Sequence, residues 1–215
     1  MAGGPLEGIR VIDLTSVVVG PLATQILADH GAEVIKVEAK TGDLVRVMNG
    51  RSVTPGMGAK FLHLNRNKRS LVLDLKQPAA HAALLKLVAR ADVLVWNVRP
   101  ASMARLKLAY DDVRAANPKI IYCGMFGFGQ DGCYRDKPAY DSIIQGSGGM
   151  AALHHRATGE PRFVPMVVAD KVVGLIAAQM ITMALYRRAQ PATVARSRSR
   201  CSRTWSSSCS KSTCI

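Results

Sequence analysis

Asp170 is the residue in this 215-residue chain best placed to do covalent chemistry. It lies in Val167-Val168-Ala169-Asp170-Lys171-Val172-Val173-Gly174, where an apolar run meets a long helical stretch. Two readings stand side by side. One is an N-cap, the common use of Asp at a helix start. The other is a partly desolvated carboxylate that the helix dipole keeps ionised, and which is therefore nucleophilic. Two basic clusters come next. Asn65, Arg66, Asn67, Lys68 and Arg69 precede a predicted strand; Asn97, Val98, Arg99 and Pro100 follow another, with Arg105 further along. A solvated turn is the plain reading of the first cluster, and phosphate recognition by Lys and the Arg fork is the functional one. The second cluster sits just past a strand's C-terminal end, where open α/β sheets bind ligands.

Other candidates point to less. Gly127-Phe128-Gly129-Gln130-Asp131-Gly132 fits G-x-G-x-x-G and follows a strand. A dinucleotide site needs a helix starting at the third glycine, and Cys133 to Pro138 is not a helical opening. These glycines read as a loop at a strand end. Adjacent His154 and His155 point apart and have no third ligand at suitable spacing, so they read as a surface loop rather than a metal site. Five cysteines, an odd number without a C-x-x-C pair, support neither a disulfide framework nor zinc.

The elements that must position these residues alternate. Arg10–Leu14 reads as a buried strand, Thr15 to Pro21 as a turn, Leu22–His30 as a helix stopped by Gly31, and Glu33–Glu38 as a second strand. That is a βαβ unit with a right-handed crossover. Residues 41–69 form a polar, turn-rich excursion. Beyond it the pattern predicts a strand over Ser70–Leu75, a helix from Pro78 to about Arg90, and a strand over Asp92–Val98. Helices over Pro100–Leu108 and Asp111–Asn117, a strand over Lys119–Phe126, a helix from about Tyr140 and a long one over Asp170–Arg188 complete it. The expected fold class is α/β: an open, mostly parallel, Rossmann-like sheet with flanking helices.

The formal charge is +14, but all 15 acids lie before residue 190 and five cations fall in an acid-free tail. Without those five, 24 cations face 15 acids, a net +9. A small polyanion suits that body as well as nucleic acid does. With 48% apolar residues the chain is expected to be globular. The N-terminus lacks an apolar signal core, and the apolar stretch Val172–Leu185 is short of the ~20 residues that span a bilayer. We therefore expect a cytoplasmic protein, with neither nucleic acid nor membrane as partner.

Taken together these segments resemble the family III coenzyme A transferases (CaiB/BaiF, formyl-CoA transferase-like). The likeness runs from about Leu6 to Arg188. It rests on Val11-Ile12-Asp13-Leu14 with Gly20-Pro21, on Gly31 to Glu38, and on Leu64 to Ser70 with Leu73-Asp74-Leu75. Gly127 to Gln130, Pro138 to Asp141, Ser147-Gly148 and Ala169-Asp170 follow in the family's order. The resemblance implies that Asp170 attacks an acyl-CoA thioester and that CoA passes to a carboxylic acid through an aspartyl-CoA intermediate. It implies coenzyme A contacts along Val18, Val19, Asn65 to Lys68, Asn97 to Arg99 and Arg105, with Tyr140 and Asp141 near the pantetheine. CoA thioester is then the substrate, no further cofactor or metal is implied, and the full-length assembly is an interlocked homodimer.

Two departures bear on substrate. Formyl-CoA transferases carry Gln where Val18 stands and Arg where Ala39 stands, and the racemase branch carries His where Tyr140 stands. Transferase is preferred to the α-methylacyl-CoA racemase type because the α-proton base is missing. A non-catalytic CoA- or nucleotide-binding module is the further alternative. Family members run roughly twice this length, so residues 1–188 are expected to be the N-terminal part of the large domain and this chain to be inactive. Residues 189–215 hold eight serines, four arginines and three cysteines and no acid. An RNA-binding arm is one reading. The preferred one is a frameshift: one codon choice for Arg196 to Ile215, read two bases on, yields a peptide that resembles the family's continuation. On that reading the tail is disordered.

Overall fold

A computed structural model describes residues 3–48 and 52–190. The frameshift expectation for the tail falls almost wholly outside them. Five parallel strands form one sheet: β1 (Arg10–Leu14), β2 (Glu33–Glu38), β3 (Lys68–Val72), β4 (Val93–Trp96) and β5 (Ile121–Gly124). Their order is β3-β2-β1-β4-β5. The expected open α/β sheet is therefore present. From β1 the chain winds outward through β2 and β3, then returns to pair β4 on the other side of β1, with Val11 opposite Val93 and Leu14 opposite Trp96. The winding direction reverses between β1 and β4, and a crevice opens at the strands' carboxyl ends there.

Strands covered on both faces must be apolar throughout. Val93, Leu94, Val95 and Trp96 are all buried. One face carries Val11, Val34, Val93 and Val95 against α1 (Val19–Asp29) and α8 (Val168–Ala189). The other carries Ile12, Leu14, Leu94 and Trp96. It meets α3 (Pro78–Val88), α4 (Pro100–Arg105) and α5 (Tyr110–Ala116) through Leu84, Met103 and Val113. Burying each large aliphatic side chain contributes about 1.5–3 kcal/mol.

Helix α8 is long and apolar enough to cross a bilayer by length and composition. Its inward side, with Gly174, Ala177, Ile181 and Leu185, is buried, and α1 lies along it. A Cβ at Gly174 would stand 2.8 Å from the Val19 carbonyl oxygen, so glycine lets the two helices touch beside the crevice. Helix α1 begins at Val19, three residues before the expected start, because Pro21 fits a first turn, where no N–H is required.

The described parts of the excursion over 41–69 hold more secondary structure than its composition suggests. A 3₁₀ turn at Leu44–Arg46 precedes α2 (Ala59–Asn65), which buries Phe61 and Leu64. The Arg46 guanidinium stacks 3.7 Å from the Phe61 ring centre. Strand β3 starts two residues before the predicted Ser70 and ends at Val72. Its register is set by backbone pairing to β2, Val34 opposite Lys68, after Asn67 turns the chain at φ 61°. As an edge strand it tolerates the charges that made the sequence look like a loop. His154 and His155 lie not in a loop but on α7 (Met150–Thr158), a solvent-facing helix bounded by Gly149 and Gly159 at φ of 80° and 82°.

Candidate active site

The crevice at the β1/β4 reversal is a cavity of about 490 Å³. Its walls are the loops that follow three neighbouring strands: Ser16 to Val19 after β1, Asn97 to Ala101 after β4, and Gly124 to Phe128 after β5. Arg135 to Asp141 and the first turns of α8, with Asp170, close the remaining side. Apolar side chains line the depth, while Arg99, Arg135 and Lys137 are exposed cations at its rim.

The loop after β1 is held residue by residue. Thr15 donates its N–H and hydroxyl to Asp13 Oδ1, and its carbonyl accepts from Lys36 Nζ at 2.8 Å. Asn97 grips Ser16 from both sides: Oδ1 accepts from its N–H at 2.9 Å and Nδ2 donates to its carbonyl at 2.8 Å. Val17 stands at φ 69°, a strained conformation for a β-branched residue, and its N–H donates to the Asp43 carboxylate at 3.1 Å. Asp43 in turn pairs with Lys36 at 3.0 Å, both side chains about 1% exposed. A buried ion pair thus holds the strained backbone that delivers Val18 and Val19 to the cavity wall.

Asp170 is the third residue of α8, not its cap. The cap position is Val167, whose side chain makes no capping bond. The missing acceptor comes from elsewhere: Asp141 Oδ1 accepts the Asp170 N–H at 3.1 Å. Asp141 opens α6 (Asp141–Ser147), so it brings a second carboxylate to the first turn of α8. Burial and then the Asp141 charge push the Asp170 carboxyl up to about 6, against a smaller opposing pull from Lys60. A half-buried carboxylate raised this way still ionises at neutral pH and is poorly solvated when it does. A carboxylate in that state can act as a nucleophile or a proton acceptor.

Of the residues singled out from sequence, Val18, Val19, Asn97, Val98, Arg99, Tyr140, Asp141 and Asp170 come together around the cavity. Asn65, Arg66, Asn67, Lys68 and Arg105 do not line it. Arg66 and Asn67 hydrogen-bond the Asp29 carboxylate at the end of α1. Lys68 runs inward, its side chain 2% exposed, to Asp13 Oδ2 at 3.1 Å, Thr24 Oγ1, Asn65 Oδ1 and the Pro21 carbonyl. Burial would raise the Asp13 carboxyl, but Lys68, Lys36 and the two threonine hydroxyls together hold it below its ordinary value. This basic run anchors α1 to the sheet, and Asn97 likewise uses both ends of its amide on Ser16. Arg105 bonds Ser102 Oγ on the outside of α4.

Sequence reasoning passed over Arg135, Lys137 and Gln145. The first two lie in the glycine-containing loop after β5, and their charge was the available signal. No helix opens at Gly132; the chain stays irregular until Asp141. Among the described residues no cluster of His, Cys, Asp and Glu has the arrangement to hold a metal.

The sequence model described as CoA-transferase family III matches residues 6–194. A succinate–glutarate CoA-transferase of Agrobacterium fabrum is 42% identical over 187 residues, covering 84% of this chain and 47% of that protein. A formyl-CoA:oxalate CoA-transferase of Streptomyces avermitilis is 40% identical over 183 residues, covering 85% and 44%. The crystal structure of a CaiB/BaiF family protein from Brucella suis superposes with a TM-score of 0.82 at 35% identity, covering 87% of this chain and 50% of that one. The chain spans about half the length of the curated relatives it matches.

Proposed function

Because this chain belongs to CoA-transferase family III, we propose that it carries the nucleophile and part of the coenzyme A site of an enzyme moving CoA from an acyl-CoA to a carboxylic acid. The carrying observation is Asp170, presented by the first turn of α8 to the crevice at the β1/β4 reversal, with its carboxyl raised to about 6. Asp170 attacks the thioester carbonyl; the C–S bond breaks, leaving a mixed anhydride and the CoA thiolate. The thiolate attacks the aspartyl carbonyl and expels the donor carboxylate, giving an aspartyl-CoA thioester. The acceptor carboxylate attacks that thioester to form a second anhydride, and the returning thiolate takes the acceptor acyl group and frees Asp170. Each step exchanges one acyl bond for another, so the thioester's free energy is kept.

The exposed cations at the rim suit the phosphates of CoA, and the apolar depth suits pantetheine. Phosphate contacts at such exposure are screened by salt. On the outer side of α8, Leu175, Met183 and Tyr186 are each more than half exposed. The remainder of a family-length protein would cover them, and an interlocked cytoplasmic homodimer is the assembly this reading carries. The test uses protein from a complete, family-length reading frame. Incubation with an acyl-CoA is expected to leave a CoA or acyl adduct on Asp170, found by mass spectrometry and cleaved by hydroxylamine. Full transferase activity in Asp170→Ala would overturn the assignment.

A further inference from the structure

Gln145 is a polar side chain only 1% exposed, one turn along α6 from Asp141. A buried amide without partners costs about 1–3 kcal/mol, so its position has to be explained by what it binds. Its Oε1 accepts the Val164 N–H at 2.8 Å. Its Nε2 donates to Asp141 Oδ2 at 2.6 Å and to the Met166 carbonyl at 3.1 Å. One amide therefore ties together the start of α6, the extended segment leading into α8, and the carboxylate that caps α8 on the Asp170 N–H. Both oxygens of Asp141 are fixed, one by Gln145 and one by Asp170. We propose that Gln145 is a positioning residue that holds Asp141 against the first turn of α8 and thereby sets the presentation of Asp170 to the cavity.

The amide is needed for its two-sided chemistry, an acceptor toward Val164 and a donor toward Asp141. A carboxylate there offers only acceptors, and an aliphatic side chain offers neither. Without the donor, Asp141 Oδ2 is released and the carboxylate can turn to solvent. Asp170 then loses a neighbouring negative charge, and its titration moves toward the ordinary carboxylate range. The other charge acting on Asp170 is Lys60 from α2; Lys171 follows it in the chain, and Arg99, Arg135, Asp136 and Lys137 line the same cavity. None of them bonds Gln145, so they are constant in the comparison.

The inference rests on Asp170 as the reacting group, but its test needs no turnover. In chain labelled with ¹³C-carboxyl aspartate, the Asp170 signal is assigned by its loss in Asp170→Asn. Gln145→Met, similar in length, is expected to lower the Asp170 titration by about one pH unit. Asp141→Asn is expected to lower it too, and adding Gln145→Met to Asp141→Asn to move it no further. A role confined to packing would lower stability and leave the titration in place; that result overturns the proposal. The unmutated protein supplies a second test should the variant not fold. The Gln145 side-chain amide resonance in ¹⁵N-glutamine-labelled protein should shift with the Asp170 midpoint, and a flat response between pH 5 and 7 overturns the proposal equally. Absence of an adduct on Asp170 with the titration coupling intact would instead count against the nucleophile assignment alone.

Discussion

Asp170→Asn should stabilise this chain at pH 8 and leave it unchanged at about pH 3. The Asp170 carboxyl rises from an ordinary 3.8 to about 6, chiefly through burial and secondarily through Asp141. An acid raised in the folded state binds its proton more tightly there than in the unfolded chain. Its contribution is therefore complete only below 3.8 and is lost as pH rises from there through about 6. A shift of about two units at ~1.4 kcal/mol each gives an upper bound of ~3 kcal/mol at pH 8. The side chain is only half-buried and opens on the cavity, so solvent screening reduces the expected penalty to about 1 kcal/mol. Asn is isosteric, keeps the backbone N–H that Asp141 accepts, and carries no charge to desolvate. Urea unfolding followed by circular dichroism, with the slope unchanged between proteins, reads the difference directly. The expected result is a gain of about 1 kcal/mol at pH 8 that shrinks through pH 4 and is gone by about pH 3. An Asn variant less stable than the parent at pH 8, or a gain that ignores pH, would refute the argument that Asp170 is held in a strained ionisation state.

Lys68→Met leaves Asp13 buried beside Lys36 with one cation fewer and should cost about 3–5 kcal/mol in the same assay. By contrast Arg66→Ala, which removes a largely exposed ion pair, should cost less than about 1 kcal/mol; equal losses would remove the distinction between anchor and surface. Replacing both Arg135 and Lys137 by Ala should weaken CoA binding about tenfold at low ionic strength and much less in concentrated salt. Calorimetric titration at two salt concentrations checks this, and a loss indifferent to salt would mean the cations act through the loop's shape, for instance through the Lys137 contact with the Tyr134 ring.

Local pattern was enough to place β1, β2 and the helix carrying Asp170, because strand alternation and helix spacing record which faces of one element are buried. The open parallel sheet followed from the alternation of those elements. The likeness of motif order led to the carboxylate. What pattern does not record is who neutralises whom across the fold. Asn65 to Lys68 read as a solvated or phosphate-binding run because four polar residues in a row look alike whether they face water or an aspartate 55 positions away. Only the strand order β3-β2-β1 put Asp13 within 3.1 Å of Lys68. In the same way nothing in the pattern around Asn97, which lines the cavity, showed that Ser16, 81 residues earlier, takes both ends of its amide. An N-cap was one of two readings of Asp170, whereas tertiary structure supplied Asp141 from another helix as the acceptor at the start of α8 and fastened it with Gln145. Hydrogen bonds between distant segments depend on topology, and topology brings together residues that share no periodicity; motif order in the sequence singled out Asp170, and the fold decided its neighbours.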